Sequence, residues 1–399
     1  MTPIDGRTTP LPELARLFLK LGTISVGGPA AHIALMHQEV VERRGWLTAQ
    51  EFLDLVGATN LIPGPNSTEM AIHIGHLRAG WPGLLVAGGC FILPAVVIVA
   101  TLAAIYVRVG TLPATQAIFY GINPVVVAVI AVALSRLGRA AVRARWHVWL
   151  AIAAVVAVAA GVHELIVLGV CGLLGAVVAS WRRTQPAVSA GAWLLSMPGL
   201  RAGAGGASPT LRVSLIAFGA SAPAAAVTFG KLFIVFLKAG ALLFGSGYVL
   251  LAFLRADLVE RLGWLTERQL ADAIAVGQVT PGPVFTTATF IGYVLGGPTG
   301  SLIATVAIFL PAFVYVAISG PLVPRIRRSV LAAGVLDGVN IGSLALMAVV
   351  WWRLGRTSVI DAPTAVLAAA SVLTLIKWRV NPTWLVASGA AAGLALAWW

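Results

Sequence analysis

Carboxylates are scarce in this chain. Fourteen Asp and Glu stand against 27 Lys and Arg in 399 residues, and only four of the basic residues are lysines. Charged residues make up 10% of the chain and hydrophobic ones 59%, which excludes an ordinary water-soluble domain. Cysteine is nearly absent: Cys90 and Cys171 both lie inside apolar runs, as small buried hydrophobes rather than a disulfide or a metal pair. No Walker motif is present, so the chain does not hydrolyse ATP by that machinery. No matched Ser/His/Asp, metal or cofactor set occurs, which counts against a membrane enzyme and gives no cofactor to expect. The alternation of an outer-membrane barrel is missing, and Met1–Pro12 lacks the pattern of a cleavable signal. The net charge of +13 does not mark a nucleic-acid partner, because the arginines are dispersed between apolar runs, as orientation in a bilayer requires.

What is present is apolar length. Leu84–Val107, Ala114–Leu134, His147–Val162, Leu165–Trp181, Leu302–Ser319, Leu331–Trp352, Ala362–Ile376 and Pro382–Trp399 read as crossings of a lipid bilayer. The hydrocarbon core is ~30 Å thick and takes ~20 residues of helix. The class is an all-α, polytopic inner-membrane protein.

The chain also repeats itself. Pro63-Gly64-Pro65 returns as Pro281-Gly282-Pro283, an offset of 218, as do Lys20/Lys238, Gly22/Gly240, Gly27/Gly245 and Asp54/Asp272. Gly45-Trp46-Leu47-Thr48 returns as Gly263-Trp264-Leu265-Thr266. One residue is lost after Thr68/Thr286, and the offset becomes 217 for Gly75/Gly292, Pro94/Pro311 and Asn123/Asn340. The expected organisation is a tail at 1–13, a first repeat with an extra helical hairpin at 14–181, and a Gly/Ala/Pro-rich cytoplasmic linker at 182–212. A short crossing at 213–229 and a second repeat with its hairpin at 230–399 complete it.

Positive charge alternates between matched loops. Loop 136–145 carries four arginines and 353–361 two, whereas 108–113 carries one and 320–329 three. The tip at 161–164 has no Lys or Arg, while 377–381 has Lys377 and Arg379. That is the signature of two inverted repeats, with 136–145, 182–212, 325–328 and 377–379 in the cytoplasm.

Each repeat opens with an apolar helix broken at small residues, Gly27-Gly28-Pro29 in one and Gly245-Ser246-Gly247 in the other. Thr48 and Thr266 then have the position of N-caps. The helices that follow, 49–61 and 267–279, stop at Pro-Gly-Pro, and 66–79 and 284–296 return, giving a re-entrant hairpin. Irregular backbone at membrane depth lines a cavity or is buried in protein, and a helix N-terminus there favours an anion. The candidate binding set is therefore Gly27, Gly28, Gly245, Gly247, Pro63, Gly64, Pro65, Pro281, Gly282 and Pro283, with Asn66, Ser67, Thr68, Thr286 and Thr287 as neutral donors. Lys20 and Lys238 supply positive charge for a divalent oxyanion. Asp54, Asp272 and Glu69 are the candidates for coupling; Glu69 is unmatched, and both proton carriage and satisfaction of helix donors are open to it. Glu42/Arg43 and Glu260/Arg261 read as interfacial ion pairs. Glu69, His73 and His76 have metal-ligand spacing, yet all six histidines lie in the first half, so the symmetric reading has no metal.

The runs Phe18-x3-Gly22-x4-Gly27-Gly28-Pro29-x2-His32, Gly45-Trp46-Leu47-Thr48 and Pro63-Gly64-Pro65, with Phe236, Gly240, Gly245, Gly247 and Pro281-Gly282-Pro283 in the second half, resemble the chromate transporter family in its long-chain, two-domain type. The second half departs from the pattern at Ser246 and Leu250. The resemblance implies export of chromate from the bacterial cytoplasm, resistance to it, a link to the proton motive force, and sulfate as a structural analogue. A sulfate carrier, a divalent-cation carrier and a passive channel are the alternatives. A homodimer is compatible with the sequence.

Overall fold

The computed structural model describes residues 9–25, 28–59, 62–110, 112–184, 227–243, 250–327, 329–378, 380 and 382–397. Among the described residues the helices form two matched series of seven. The first comprises α1 (Leu11–Ile24), α2 (Pro29–His37), α3 (Ala49–Thr59), α4 (Asn66–Val109), α5 (Pro113–Ala141), α6 (Arg145–Ala159) and α7 (Glu164–Thr184). The second comprises α8 (Phe229–Leu242), α9 (Leu250–Leu254), α10 (Glu267–Val279), α11 (Thr287–Arg327), α12 (Val330–Ser358), α13 (Ala362–Lys377) and α14 (Pro382–Ala397). No strand occurs among the described residues.

Several sequence boundaries move. Leu11–Glu13, placed in the tail, is the first turn of α1, started by the prolines around it, and 182–184 of the linker is the end of α7. The remainder of the linker and the crossing expected at 213–229, up to residue 226, lie outside the described residues. Among the described residues, five helices are long and apolar enough to cross a membrane: Asn66–Val109, Pro113–Arg139, Glu164–Trp181, Val284–Ser319 and Leu331–Ser358. The runs at His147–Val162, Ala362–Ile376 and Pro382–Trp399 instead form helices of 15, 16 and 16 residues. At about 1.5 Å per residue these are shorter than the ~30 Å core. Their ends are set by local chemistry: Gly161 at φ 85° follows α6, and Asp361 caps α13 by accepting from Thr364 N at 3.0 Å.

Both re-entrant hairpins form. Thr48 and Glu51, and likewise Thr266 and Gln269, make reciprocal capping boxes at the starts of α3 and α10. The returning arms end at breaks of the same geometry, Ala79-Gly80 (φ −145°, 60°) and Gly296-Gly297 (φ −147°, 61°). After each break the chain doubles back, with Gly75 against Gly83 and Gly292 against Gly300 so closely that a Cβ would strike backbone. The residue lost from the second copy is made good by a 3₁₀ turn at Val284–Thr286. Three residues at ~2.0 Å rise instead of ~1.5 Å recover about one residue of helix.

The extra hairpins are exchanged. Helix α7 lies on α12 and α14 on α5, so each hairpin covers the opposite repeat. Glycine lets the backbones touch: Gly175 meets Gly334, Gly338 meets Cys171, Gly121 meets Gly389, and Gly393 meets Ala117. These contacts run in opposite chain directions, so α7 is antiparallel to α12. Short turns after α5 and α6 reverse the chain twice, which sets α5 against its own counterpart α12. The repeats are inverted.

Candidate functional site

The two Pro-Gly-Pro turns meet the two broken first helices at the centre, each in the opposite half. Gly64 N–H donates to Leu243 O, just beyond α8, at 2.7 Å, and Gly282 N–H donates to Ser25 O, just beyond α1, at 2.8 Å. Residues 64 and 282 are equivalent, as are 25 and 243, so this is one contact made twice across a pseudo-two-fold axis. The flanking contacts repeat as well: Gly64 faces Ala312 of α11, and Gly282 faces Ala95 of α4. Both glycines have positive φ, 142° and 95°, and a Cβ would meet the Glu69 carboxyl at the first and Ala95 at the second. Pro63, Pro65, Pro281 and Pro283 supply no N–H and hold these turns open. The glycine amides, expected to face a ligand, are occupied in this state by carbonyls of the other half.

The hydroxyl donors divide unequally. Thr286 and Thr287 each donate to a nearby carbonyl, Pro283 O and Val284 O, both at 2.8 Å, so their protons are not directed at a ligand as the sequence suggested. A threonine on a tight turn satisfies the backbone first. Thr68 differs: its hydroxyl is fully buried and makes no hydrogen bond, and Ser67 beside it is buried. Asn66 opens α4 at the edge of the turn. Gly28, at φ 84°, precedes α2, with open space where a side chain would begin. Gly27, Gly245 and Gly247 lie outside the described residues.

Glu69 is the outstanding group of the centre. It is 0% exposed, and neither carboxyl oxygen has a hydrogen-bond partner. Its Oε1 folds back over Gly64, into the space a side chain there would need. One turn on, His73 is buried with Nε2 unpartnered, and across the break in the first helix His32 and Ser25 are buried with Nδ1 and Oγ unpartnered. The second half offers Phe290 and Leu250 at the places of His73 and His32. Glu69, His73 and His76 do not form a metal site: no group of three or more His, Cys, Asp or Glu among the described residues is placed to share an ion.

Asp272, almost fully buried in α10, accepts from Tyr106 of α4 (2.8 Å) and Asn123 of α5 (3.1 Å), tying the second hairpin to the first repeat. The backbone at Asp54 is helical; its side chain lies outside the described residues.

Lys20 and Lys238 are not free charges. Each pairs with a carboxylate on a π-helical turn that extends α2 (Gln38–Arg43) or α9 (Arg255–Arg261): Lys20 with Glu39 at 2.7 Å, and Lys238 with Asp257. The sequence reading missed Glu39 and Asp257. They stand 218 apart like the lysines, but the change from Glu to Asp hid the match, and no sequence pattern marks a π turn. Arg43 and Arg44 also bind Glu39, at 2.8 and 2.6 Å. Hydrogen bonding from Lys20, outweighing burial, holds the Glu39 carboxyl below its ordinary range. The neighbours Glu42/Arg43 and Glu260/Arg261 do not pair with each other as expected. Glu42 takes His37, Glu260 takes Arg255 and Arg353, and Arg261 takes Asp257 and Glu164, because adjacent side chains on a helical surface point apart and meet residues about a turn away or on other helices.

The family model for the chromate transporter matches residues 12–176 and again 230–394. The chain belongs to the chromate transporter family. It is 32% identical over 395 residues to a chromate transport protein of Pseudomonas aeruginosa, covering 96% of this chain and 91% of that one. Against a chromate transport protein of Cupriavidus metallidurans it is 30% identical over 387 residues, covering 96% and 92%. A probable chromate transport protein of Synechococcus elongatus is 30% identical over 378 residues, covering 93% and 91%. No solved structure matches the chain. The protein is thus a multi-pass membrane transporter of two-repeat type, not an enzyme, and the two matched spans coincide with the two helical series.

Proposed function

We propose that this chain exports chromate from the bacterial cytoplasm across the inner membrane as a secondary transporter, drawing on the proton motive force and conferring chromate resistance. The observation that carries the reading is the reciprocal docking of each Pro-Gly-Pro turn on the opposite broken helix, Gly64 to Leu243 and Gly282 to Ser25. Rocking one half against the other separates these pairs one side at a time and frees backbone N–H groups for an oxyanion near the midplane. Thr68, Ser67 and Asn66 add neutral donors, and Gly27, Gly28, Gly245 and Gly247 allow close approach. Lys20 and Lys238 contribute positive potential from within their ion pairs.

Glu69 is the coupling group in this reading. Ionised, it repels a dianion; protonated, it donates a hydrogen bond to one. Anion and proton then bind together, and by linkage each raises the affinity for the other. A dianion moving with one proton carries a net single negative charge outward, so export draws on the membrane-potential part of the proton motive force, about 2.3 kcal/mol per 100 mV, and runs against the pH gradient. Asp54 and Asp272 connect the hairpins to that movement.

Radiolabelled chromate uptake into everted vesicles, with and without an interior-positive membrane potential and excess sulfate, tests the proposal. Potential-dependent uptake that sulfate inhibits weakly is expected. Accumulation of sulfate with no uptake of chromate would keep the anion site and transfer the substrate to sulfate, the second tetrahedral dianion that fits the same donors.

A further inference from the structure

The tip of the α6–α7 hairpin, the π turn after α9 and the end of α12 line an open cavity of about 240 Å³. His163, Glu164, Arg255, Glu260, Arg261 and Arg353 line it. Arg261 donates to both oxygens of the buried Glu164, at 2.9 and 2.8 Å, and also reaches Asp257. Arg255 and Arg353 share Glu260 Oε1, each at 2.5 Å, and Arg255 also donates to both oxygens of Glu267. Every guanidinium here thus holds a carboxylate, itself a small oxyanion tethered to the chain. The other repeat keeps Glu42, Arg43 and Arg136 at the places of Glu260, Arg261 and Arg353 but lacks the buried acid and one arginine: Asn381 stands at the place of Glu164, and His37 at that of Arg255. An arginine fork suits carboxylate and tetrahedral oxyanions alike, so the same nitrogens can exchange one for the other.

We infer that this cavity is a second oxyanion site on the transport path, in which the transported dianion displaces Glu164 and Glu260 from Arg261, Arg255 and Arg353. The displacement unties the hairpin tip from the π turn, so arrival of the anion releases the contact that closes this end. The inference rests on the oxyanion reading above but not on the central turns.

Ala256→Cys, in a full-length chain also carrying Cys90→Ala and Cys171→Ala, places one thiol on the cavity wall. In proteoliposomes its modification by a charged, impermeant maleimide is followed against sulfate and chromate, with chloride at equal ionic strength as the control. Both dianions should slow the modification. Glu164→Gln, which keeps the shape and removes the tethered competitor, should lower the half-protecting concentration about tenfold. Arg261→Gln should abolish protection; should that variant fold poorly, Arg353→Gln at the more exposed position should weaken it several-fold. Gly64→Ala at the central turn should leave protection intact. Equal effects of chloride, or protection that survives Arg261→Gln and Arg353→Gln but vanishes with Gly64→Ala, would overturn the outer site without touching the central one.

Discussion

The two re-entrant hairpins share a backbone and differ in chemistry. Their breaks agree within a few degrees, their glycine turns bind equivalent carbonyls, and their caps use the same device. Yet where the first arm carries an unpartnered buried carboxyl at Glu69 and an imidazole at His73, the second carries two threonines closed on their own backbone and Phe290. An inverted repeat needs matched geometry to present the same site to both sides of a membrane. It has no such need for matched protonation chemistry, and one coupling group suffices for one site.

The sharpest way to break the shared part is at the glycines. Gly64→Ala and Gly282→Ala each impose a Cβ on a positive-φ residue and against Glu69 or Ala95, and each should lower transport at least a hundredfold in vesicle uptake. Near-normal flux from either variant would show that the turns do not form the path. The unshared part is tested by Glu69→Gln. Potential-driven uptake should fall at least tenfold while exchange of labelled for unlabelled anion persists; equal loss of both would make Glu69 a binding group rather than a coupling one.

Asp272→Asn should cost about 1–3 kcal/mol, because the hydrogen bonds from Tyr106 and Asn123 cross the repeat boundary in a buried place. Thermal unfolding in detergent reads this directly, and an unshifted transition would remove Asp272 from the interface. The smallest effect is expected at the lysines. Lys238→Ala should impair transport more than Lys20→Ala, since Glu39 keeps Arg43 and Arg44, whereas Asp257 keeps only Arg261, itself shared with Glu164. Glu39, with its carboxyl lowered in the folded state, contributes stability above the ordinary value of 4.5 and loses it as pH falls below that. Glu39→Gln should accordingly flatten the acid limb of a stability–pH curve, and an identical limb would assign it to other carboxyls.

Much of this was legible in sequence because it is local. Thr48 and Thr266 announce caps, Pro-Gly-Pro announces a turn between two short helices, and the 218-residue echo announces the repeat. What sequence withheld is long-range or cooperative. Nothing at Gly64 points to Leu243, 179 positions away, and nothing in Gly334-x3-Gly338 names α7 rather than another helix as its partner. Lys20 looked like a cation for substrate because its partner sits on a turn of unusual pitch. Thr286 and Thr287 looked like donors because their local acceptors exist only once the 3₁₀ turn has formed.

The exchanged hairpins bear on how such a molecule is made. Helices α6 and α7 leave the ribosome long before α12, the surface they are shaped to cover, and α5 must wait for α14. Neither half can finish its own interior, so the first half is held in the bilayer as an incomplete body with an open glycine groove until the second arrives. Completion is then a single interlocking event late in synthesis. Two separately translated pieces, cut between residues 184 and 227, would each carry one half of these interlocking surfaces.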